Sequence, residues 1–597
     1  MNPYRAPVAD MRFALEEIAA LPGLAALPGF EQADGNLAAN ILEEAGRLAA
    51  DVLAPLNQAG DREGCRFENG VVRLPDGFAE AYRQVVEGGW VSLPFDPAFG
   101  GQGLPWTLAL AVQELWHGAN MSFGLSPLLT QGAAELLQGH GTKAQKDAYL
   151  ARLVSGEWTG TMNLTEPQAG SDLGAIRTQA VRDGDHYRIS GQKIFITYGE
   201  HDLTDNIVHM VLARTPEAPA GSKGLSLFIV PKFTVNADGS LGPHNDLRCV
   251  SIERKLGIHG SPTCVMSYGD GDGATGFLLG EESRGLACMF TMMNNARLAV
   301  GVQGLAIAER AYQQAVAYAR ERLQGRVPGD RAGGAVPIIA HPDVRRMLLT
   351  MKARVEAMRA FAYYTAGHLD RASREPDTQA RARSQATLDL LTPVVKAWCT
   401  DLGCETASLG VQVHGGMGYI EETGAAQHFR DARINPIYEG TNGIQALDLV
   451  TRKIARDEGA AVRALIAEIA ATDETLQRAG HADLKPLGGP LGEARFILSA
   501  ATDWLVDALA ADPARAAAVA SPYLRLMGTV AGGWLLARSA QAAARRLEAQ
   551  DGDPRFLIAK LRTARFYADN LLPEAAALAA AVMTGADSTL ALEDDQF

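Results

Sequence analysis

What most limits the folds open to this chain is a change of hydrophobic period, from helix to strand and back again. From about Asp34 to Ser155 the residues are Ala, Leu and Glu rich at helical spacing, and HGTKAQKDAYLARLVSGEW reads as a helix entered through the Gly141–Thr142 cap region. The period then becomes that of strands: HYRISGQKIFITYG, NIVHMVLART and LSLFIVPKFTV are short β-branched and aromatic runs divided by Gly, Pro, Asp and Ser. Helical spacing returns after Gly285, through Leu305, Ala308, Tyr312, Ala315 and Ala319, then Val344, Met347, Met351, Val355, Met358 and Phe361. Methionines at this spacing are read as core. The Gly/Pro-rich GRVPGDRAGGAVP joins the two helical stretches as a loop.

A last stretch, from about residue 456, is Ala-rich and helical, is broken at GHADLKPLGGPLG and ends in the acidic LEDDQF. Within it, GGWLLARSAQAAARRLEAQ carries an apolar face and three arginines, read as packing against the rest of the protein. The expectation is a mainly α protein with a central β domain: a helical domain over 1–160, a β domain over 161–285, a helical bundle over 286–455 and an added helical domain over 456–597. Helices and strands are segregated along the chain, which disfavours a doubly wound βαβ fold. No GxGxxG follows a predicted strand.

With 597 residues the chain has room for several cores. No stretch offers the run of about 20 apolar residues that a membrane helix needs. The N-terminus lacks a basic segment followed by an apolar one, so the expected location is the cytoplasm. Six scattered cysteines, without metal-ligand spacing, fit reduced thiols and no metal site. A net charge of −14 argues against nucleic acid as a partner.

Four stretches carry residues suited to chemistry. TMNLTEPQAGSD (161–172) brings Thr165, Gly170 and Ser171 together, offering hydroxyls and backbone N–H groups to an anionic or heteroaromatic ligand, or simply a connecting turn. GQKIFITYG places Phe195 and Thr197 two apart on a strand, hence on one side, where they form a half-buried strand face or a seat for a flat cofactor. QVHGGMGY (412–419) is a glycine-rich bend where backbone can come close to phosphate. NPIYEGTNG (435–443) holds Glu439, either a solvated loop charge or a base.

Taken in order, TEPQAGSD, GQKIFIT, QVHGGMGY and IYEGT resemble the acyl-CoA dehydrogenase family over roughly residues 60 to 455. Glu439 lies 27 residues after Gln412 and Arg322 lies 25 after Arg297, spacings similar to the family's. MFTMMNNARLAVGVQG and the C-terminal addition resemble the longer branch, which includes 3-methylmercaptopropionyl-CoA dehydrogenases.

The resemblance implies FAD as cofactor and an acyl-CoA substrate converted to the trans-2-enoyl-CoA. It makes Glu439 the base for the α-proton; the stretch MMNNAR, where some relatives carry the base, offers only Asn294, Asn295 and Ala296. It assigns Met162, Leu164, Thr165 and Ser171, with Phe195 and Thr197, to the flavin and pyrophosphate, and Thr441 to the adenine half. Arg322, Gln412 and Gly416 resemble residues that reach the FAD of a neighbouring subunit, so a homodimer is implied, and an electron-transfer flavoprotein is the implied acceptor. Ser171, Arg297 and Tyr438 are the candidate substrate contacts; for Arg297 a helix salt bridge is the alternative. Two departures stand out: Phe195 replaces the tryptophan frequent in medium-chain relatives, and Gly443 a glutamine often found after EGT. Alternatives at this point are an acyl-CoA oxidase passing electrons to dioxygen, and a non-enzymatic flavoprotein similar to the alkylation-response proteins.

Overall fold

The computed structural model describes residues 3–329 and 334–597, so residues 330–333 of the Gly/Pro-rich loop lie outside the described part. The helices that matter below are α1 (Val8–Glu17), α2 (Met121–His140), α3 (Gly285–Glu321), α4 (Pro342–Arg374), α5 (Thr378–His414), α6 (Asn442–Asp448), α7 (Ala460–Arg478), α8 (Lys485–Ala511), α9 (Ala520–Glu548) and α10 (Pro554–Asn570). The chain gathers into two compact units. One holds residues 47–105 and 115–299; the other holds residues 1–46, 106–114 and 300–597.

The first unit is built on a sheet of eight strands: β1 (Thr159–Asn163), β2 (Gln179–Asp183), β3 (His186–Thr197), β4 (Ile207–Arg214), β5 (Leu225–Pro231), β6 (Leu247–Ile252), β7 (Thr263–Tyr268) and β8 (Ala274–Leu279). Their order is β6-β7-β3-β8-β5-β4-β1, with β2 against β3 and β4. Neighbours are antiparallel except β1 beside β4 and the single β2–β4 pair. Inward residues Tyr187, Ile189, Val211, Phe228, Val230 and Met266 make the core, as the period of two requires.

The expected helix after Gly141 starts on a capping box between Thr142 and Gln145. The N-terminal stretch is not purely helical, however. Arg66–Glu68 pairs with Val71–Arg73 across Asn69–Gly70, both at positive φ. Strands of three residues are too short to show a period, although Asn-Gly is itself a hairpin signal.

The second unit is helical. α3 and α5 approach so closely that a Cβ on Gly304 would lie 2.4 Å from the Cys399 carbonyl oxygen, which accounts for the glycine in GVQG. Arg359 of α4 is 1% exposed and bonds Glu114 at 2.6 Å and Glu309 at 2.8 Å, so its charge is countered inside the core.

The break expected at GHADLKPLGGPLG is shorter than its composition suggests. α7 ends at Arg478 and α8 already begins at Lys485, with Pro486 in its first turn and Pro490 inside it. The glycines serve packing here: a Cβ on Gly492 would meet an Asp473 carboxylate oxygen at 2.7 Å, and one on Gly488 would meet Gln477 at 3.0 Å. α9 buries Trp534, Leu535 and Leu536, as expected of a packed helix, and its Arg545 and Arg546 pair with Glu17 and Glu16 of α1.

Candidate active site

In the β unit, β1 ends at Asn163 and the chain turns at once through Leu164, Thr165 and Glu166. Lys193, on the inward side of β3, is wholly enclosed and donates from Nζ to the Leu164 carbonyl at 2.9 Å and to Glu166 Oε1 at 2.8 Å. One residue on, the Ile194 N–H donates to the Thr165 carbonyl at 2.9 Å. The loop holding Leu164 and Thr165 is thereby tied beside the end of β3. Glu166 also accepts from Arg177 N, Thr178 N and Thr178 Oγ1. Burial raises its pKa, but the Lys193 charge and these bonds overcome that and leave the carboxyl below its usual range. Burial pulls Lys193 down against the attraction of Glu166.

The ladder between β3 and β7 slips between Cys264 and Met266, opposite Ile194 and Phe195. At that bulge Phe195 takes φ +59° and leaves its ring 58% exposed, although Ile196 beside it is buried. The bulge shifts the alternation by one residue, so that Lys193 and Ile196 are both buried while Phe195 is exposed and Thr197 half-buried. A bulky residue at positive φ is an outlier of the kind found at ligand clamps. Met162 and Thr165 are half-buried, Leu164 is buried and Ser171 is exposed on the following loop. Arg297 is buried in α3 with its guanidinium 6.0 Å from the Phe290 ring. Phe290 in turn lines a recess of about 210 Å³ with Lys223, Arg284, Ser222 and Ser283.

In the helical unit, Glu439 is half-exposed at φ +57°, followed by Gly440 at +82°. Thr441 then caps α6, its Oγ1 accepting from Ile444 N at 3.3 Å. Tyr438 donates from its hydroxyl to Gln303 and to Asn435 Oδ1. Burial, reinforced by the Glu439 charge, holds the Tyr438 phenol well above its ordinary pKa. The base candidate and the tyrosine are therefore close, and Thr441 already has a structural task as a cap.

The stretch QVHGGMGY is a bend only in its second half. Gln412 is exposed in the last turn of α5, which ends at His414; the backbone departs at Gly415, φ +62°. A cleft of about 610 Å³ opens there, lined by Arg322, Tyr318, His414, Gly415, Gly416 and Met417 among others. A Cβ on Gly415 or Gly416 would meet nothing within 4 Å, so the backbone lies bare to the cleft. A cation over exposed backbone suits a diphosphate or nucleotide, and a free ring beside a hydroxyl suits a flat heterocycle. The residues present fit the two halves of FAD.

Sequence reasoning missed the parts that hold these loops. Lys193 and Lys396 are both 0% exposed, and each was legible as a lone cation, at an inward strand position or in the apolar run LLTPVVKAWC. Gln445 and Asn442, which grip the Glu439 turn, carried no signal. Among the described residues no group of His, Cys, Asp and Glu is placed to hold a metal ion, and no helix is long and apolar enough to cross a membrane.

Four family descriptions match the chain in order: acyl-CoA dehydrogenase N-terminal domain over 38–157, middle domain over 161–270, C-terminal domain over 283–454, and an acetyl-CoA dehydrogenase C-terminal-like domain over 464–593. The chain is 51% identical over 588 residues to 3-methylmercaptopropionyl-CoA dehydrogenase of Ruegeria pomeroyi, covering 98% of this chain and 99% of that one. It is 35% identical to a broad-specificity linear acyl-CoA dehydrogenase of Mycobacterium tuberculosis, covering 96% of each. Its fold matches an acyl-CoA dehydrogenase of Bacillus anthracis solved with FAD, at TM-score 0.75 and 21% identity over 94% of this chain and 89% of that one. A Caenorhabditis elegans protein solved with C11-CoA matches at TM-score 0.77 and 21% identity, over 96% and 92%. Likeness over almost the whole length, with the C-terminal helices included, makes this chain a member of the acyl-CoA dehydrogenase family of FAD-dependent oxidoreductases.

Proposed function

We propose that this protein desaturates an acyl-CoA thioester between Cα and Cβ, with Glu439 taking the α-proton. The observation that carries the reading is the Glu439 turn: a carboxylate at positive φ, half-exposed, on a loop anchored on both sides. An α-proton of a thioester is weakly acidic, so a base must be aimed and the charge on the thioester oxygen met as it forms. By family resemblance the Glu439 backbone N–H meets that charge. Tyr438 sits beside the thioester, and Ser171 and Arg297 contact the acyl-CoA.

Met162, Leu164, Thr165, Ser171, Phe195 and Thr197 would hold the flavin end of FAD, and Thr441 the adenine half. Arg322, Gln412 and Gly416 would reach the FAD of the second subunit of a homodimer. FAD, when bound, supplies the acceptor for the β-hydrogen, and an electron-transfer flavoprotein is the expected oxidant of the reduced enzyme. Six free thiols suit a reducing cytoplasm.

The name of the Ruegeria pomeroyi relative makes 3-methylmercaptopropionyl-CoA the first substrate to offer. The test is anaerobic mixing of the yellow holoenzyme with acyl-CoAs from short and methylthio-bearing to C16, following flavin absorbance. Bleaching by one class is expected, and Glu439→Gln is expected to keep FAD while losing the bleaching. A Glu439→Gln protein that bleaches at the normal rate would overturn the assignment, and release of peroxide on reoxidation in air would point to an oxidase.

A further inference from the structure

We infer that Lys396 is a positioning residue for the Glu439 base, an inference that rests on the dehydrogenase reading above. Lys396 lies on α5 between Val395 and Ala397 and is closed to solvent. Its Nζ crosses to the turn after Glu439 and donates to the Gly440 carbonyl at 2.8 Å and to Asn442 Oδ1 at 2.8 Å. Asn442 returns the contact to α5, donating from Nδ2 to Ala397 O at 3.1 Å, Thr400 Oγ1 at 3.0 Å and Asp401 Oδ1 at 2.7 Å. From the opposite side Gln445, also closed to solvent, donates from Nε2 to the Glu439 carbonyl at 3.0 Å. The Glu439 carbonyl is thus held from α6, and the Gly440 carbonyl chiefly by Lys396 of α5, with Gln445 reaching it more distantly at 3.4 Å.

The arrangement has a physical reason. Glu439 and Gly440 both lie in the left-handed region, which a glutamate does not adopt unaided. Such a backbone persists only where its surroundings over-determine it. Two successive left-handed residues turn their carbonyls inward, where an unmet acceptor would be costly. An ammonium meets the Gly440 carbonyl more strongly than a neutral donor would. A lysine is costly to enclose in an apolar helix, and packing alone would be served by leucine or methionine. Without Lys396 the Gly440–Thr441 peptide loses the charged donor to its carbonyl and Asn442 loses a bond to α5, which relaxes the turn that carries the Glu439 carboxylate.

The test isolates proton removal from redox chemistry. In (methylthio)acetyl-CoA sulfur replaces the β-carbon, so there is no β-hydrogen to transfer, yet the α-hydrogens still exchange with a base. Holoenzyme in D2O is mixed with this thioester, and deuterium at the α-carbon is followed by mass spectrometry, per bound FAD. Lys396→Met and Gln445→Met are each expected to slow exchange roughly 10- to 100-fold, the scale of a displacement of about 1 Å, with FAD content and thioester affinity kept. Glu439→Gln serves as the control.

If Glu439→Gln abolishes exchange while both other variants exchange within about twofold of the wild type, the positioning role falls and the base assignment stands. If Glu439→Gln exchanges normally, the base assignment itself falls and this role with it. Failure of both Lys396→Met and Gln445→Met to give folded holoenzyme would make the cradle a scaffold element and overturn the inference.

Discussion

The Lys193 ammonium stands 2.8 Å from a Glu166 carboxylate oxygen and 2.9 Å from the Leu164 carbonyl, fully shut off from solvent. An ion pair in such a place is costly to form and costlier to halve, since removing one partner strands the other. Lys193→Met is therefore expected to lower the unfolding free energy by about 3–5 kcal/mol, measured by denaturant titration of the apoprotein. Lys193→Met with Glu166→Gln should recover part of that loss, because no uncompensated charge remains. The single variant should also retain FAD poorly, as the Leu164–Thr165 loop keeps only its Ile194 backbone tie to β3.

Phe195 invites the opposite trade. Its backbone conformation costs on the order of 1–3 kcal/mol, and its ring has little burial to lose. Phe195→Gly removes that strain while adding about 0.5–1 kcal/mol of chain entropy to be lost on folding. Apoprotein stability should hold or rise, while FAD affinity, read by titration of the apoprotein, should fall. A large loss of apoprotein stability would show that the ring is a packing element instead.

His259 gives a pH signature. Its Nδ1 lies 2.9 Å from Asp61 Oδ1 and its Nε2 lies 2.9 Å from the Lys255 carbonyl, so the protonated ring satisfies two acceptors. The hydrogen bond to Asp61 leads over the opposing effect of burial, and the pKa rises from 6.5 to about 9. The folded state binds this proton more tightly than the unfolded one. The contribution is fully present below pH 6.5 and is lost as pH rises through about 9. The gap in thermal midpoint between wild type and His259→Gln should be widest near pH 6 and close above pH 9.

Much of this was legible from the residues. The change of period located the sheet, since short β-branched and aromatic runs divided by turn residues suit strands and are too short for packed helices, and the four ordered stretches led to the family. Other parts escaped for physical reasons. The α8 start hides in a glycine-proline run because tight helix crossing and turn formation both call for glycine. The Phe195 bulge hides because positive φ in an aromatic residue depends on an extra β3 residue in the ladder with β7, a strand far along the chain. Lys193 and Lys396 stand out only as lone cations among apolar neighbours, since a completed core is needed to show which carbonyls their heads meet.

The chain enters the helical unit three times and the β unit twice, and this sets an order of assembly during synthesis. Everything in the β unit has been made once Ala299 leaves the ribosome, whereas the helical unit begins with residues 1–46 and waits for its last helices. At about 5–20 residues per second, the interval is tens of seconds. The segment holding α1 has to stay available through that time until α9, its partner through Glu16 and Glu17, is translated. A nascent chain stalled once residue 299 has emerged would therefore display a folded Phe195 bulge before the Glu439 turn exists, and an N-terminal helix still without the arginines it pairs with.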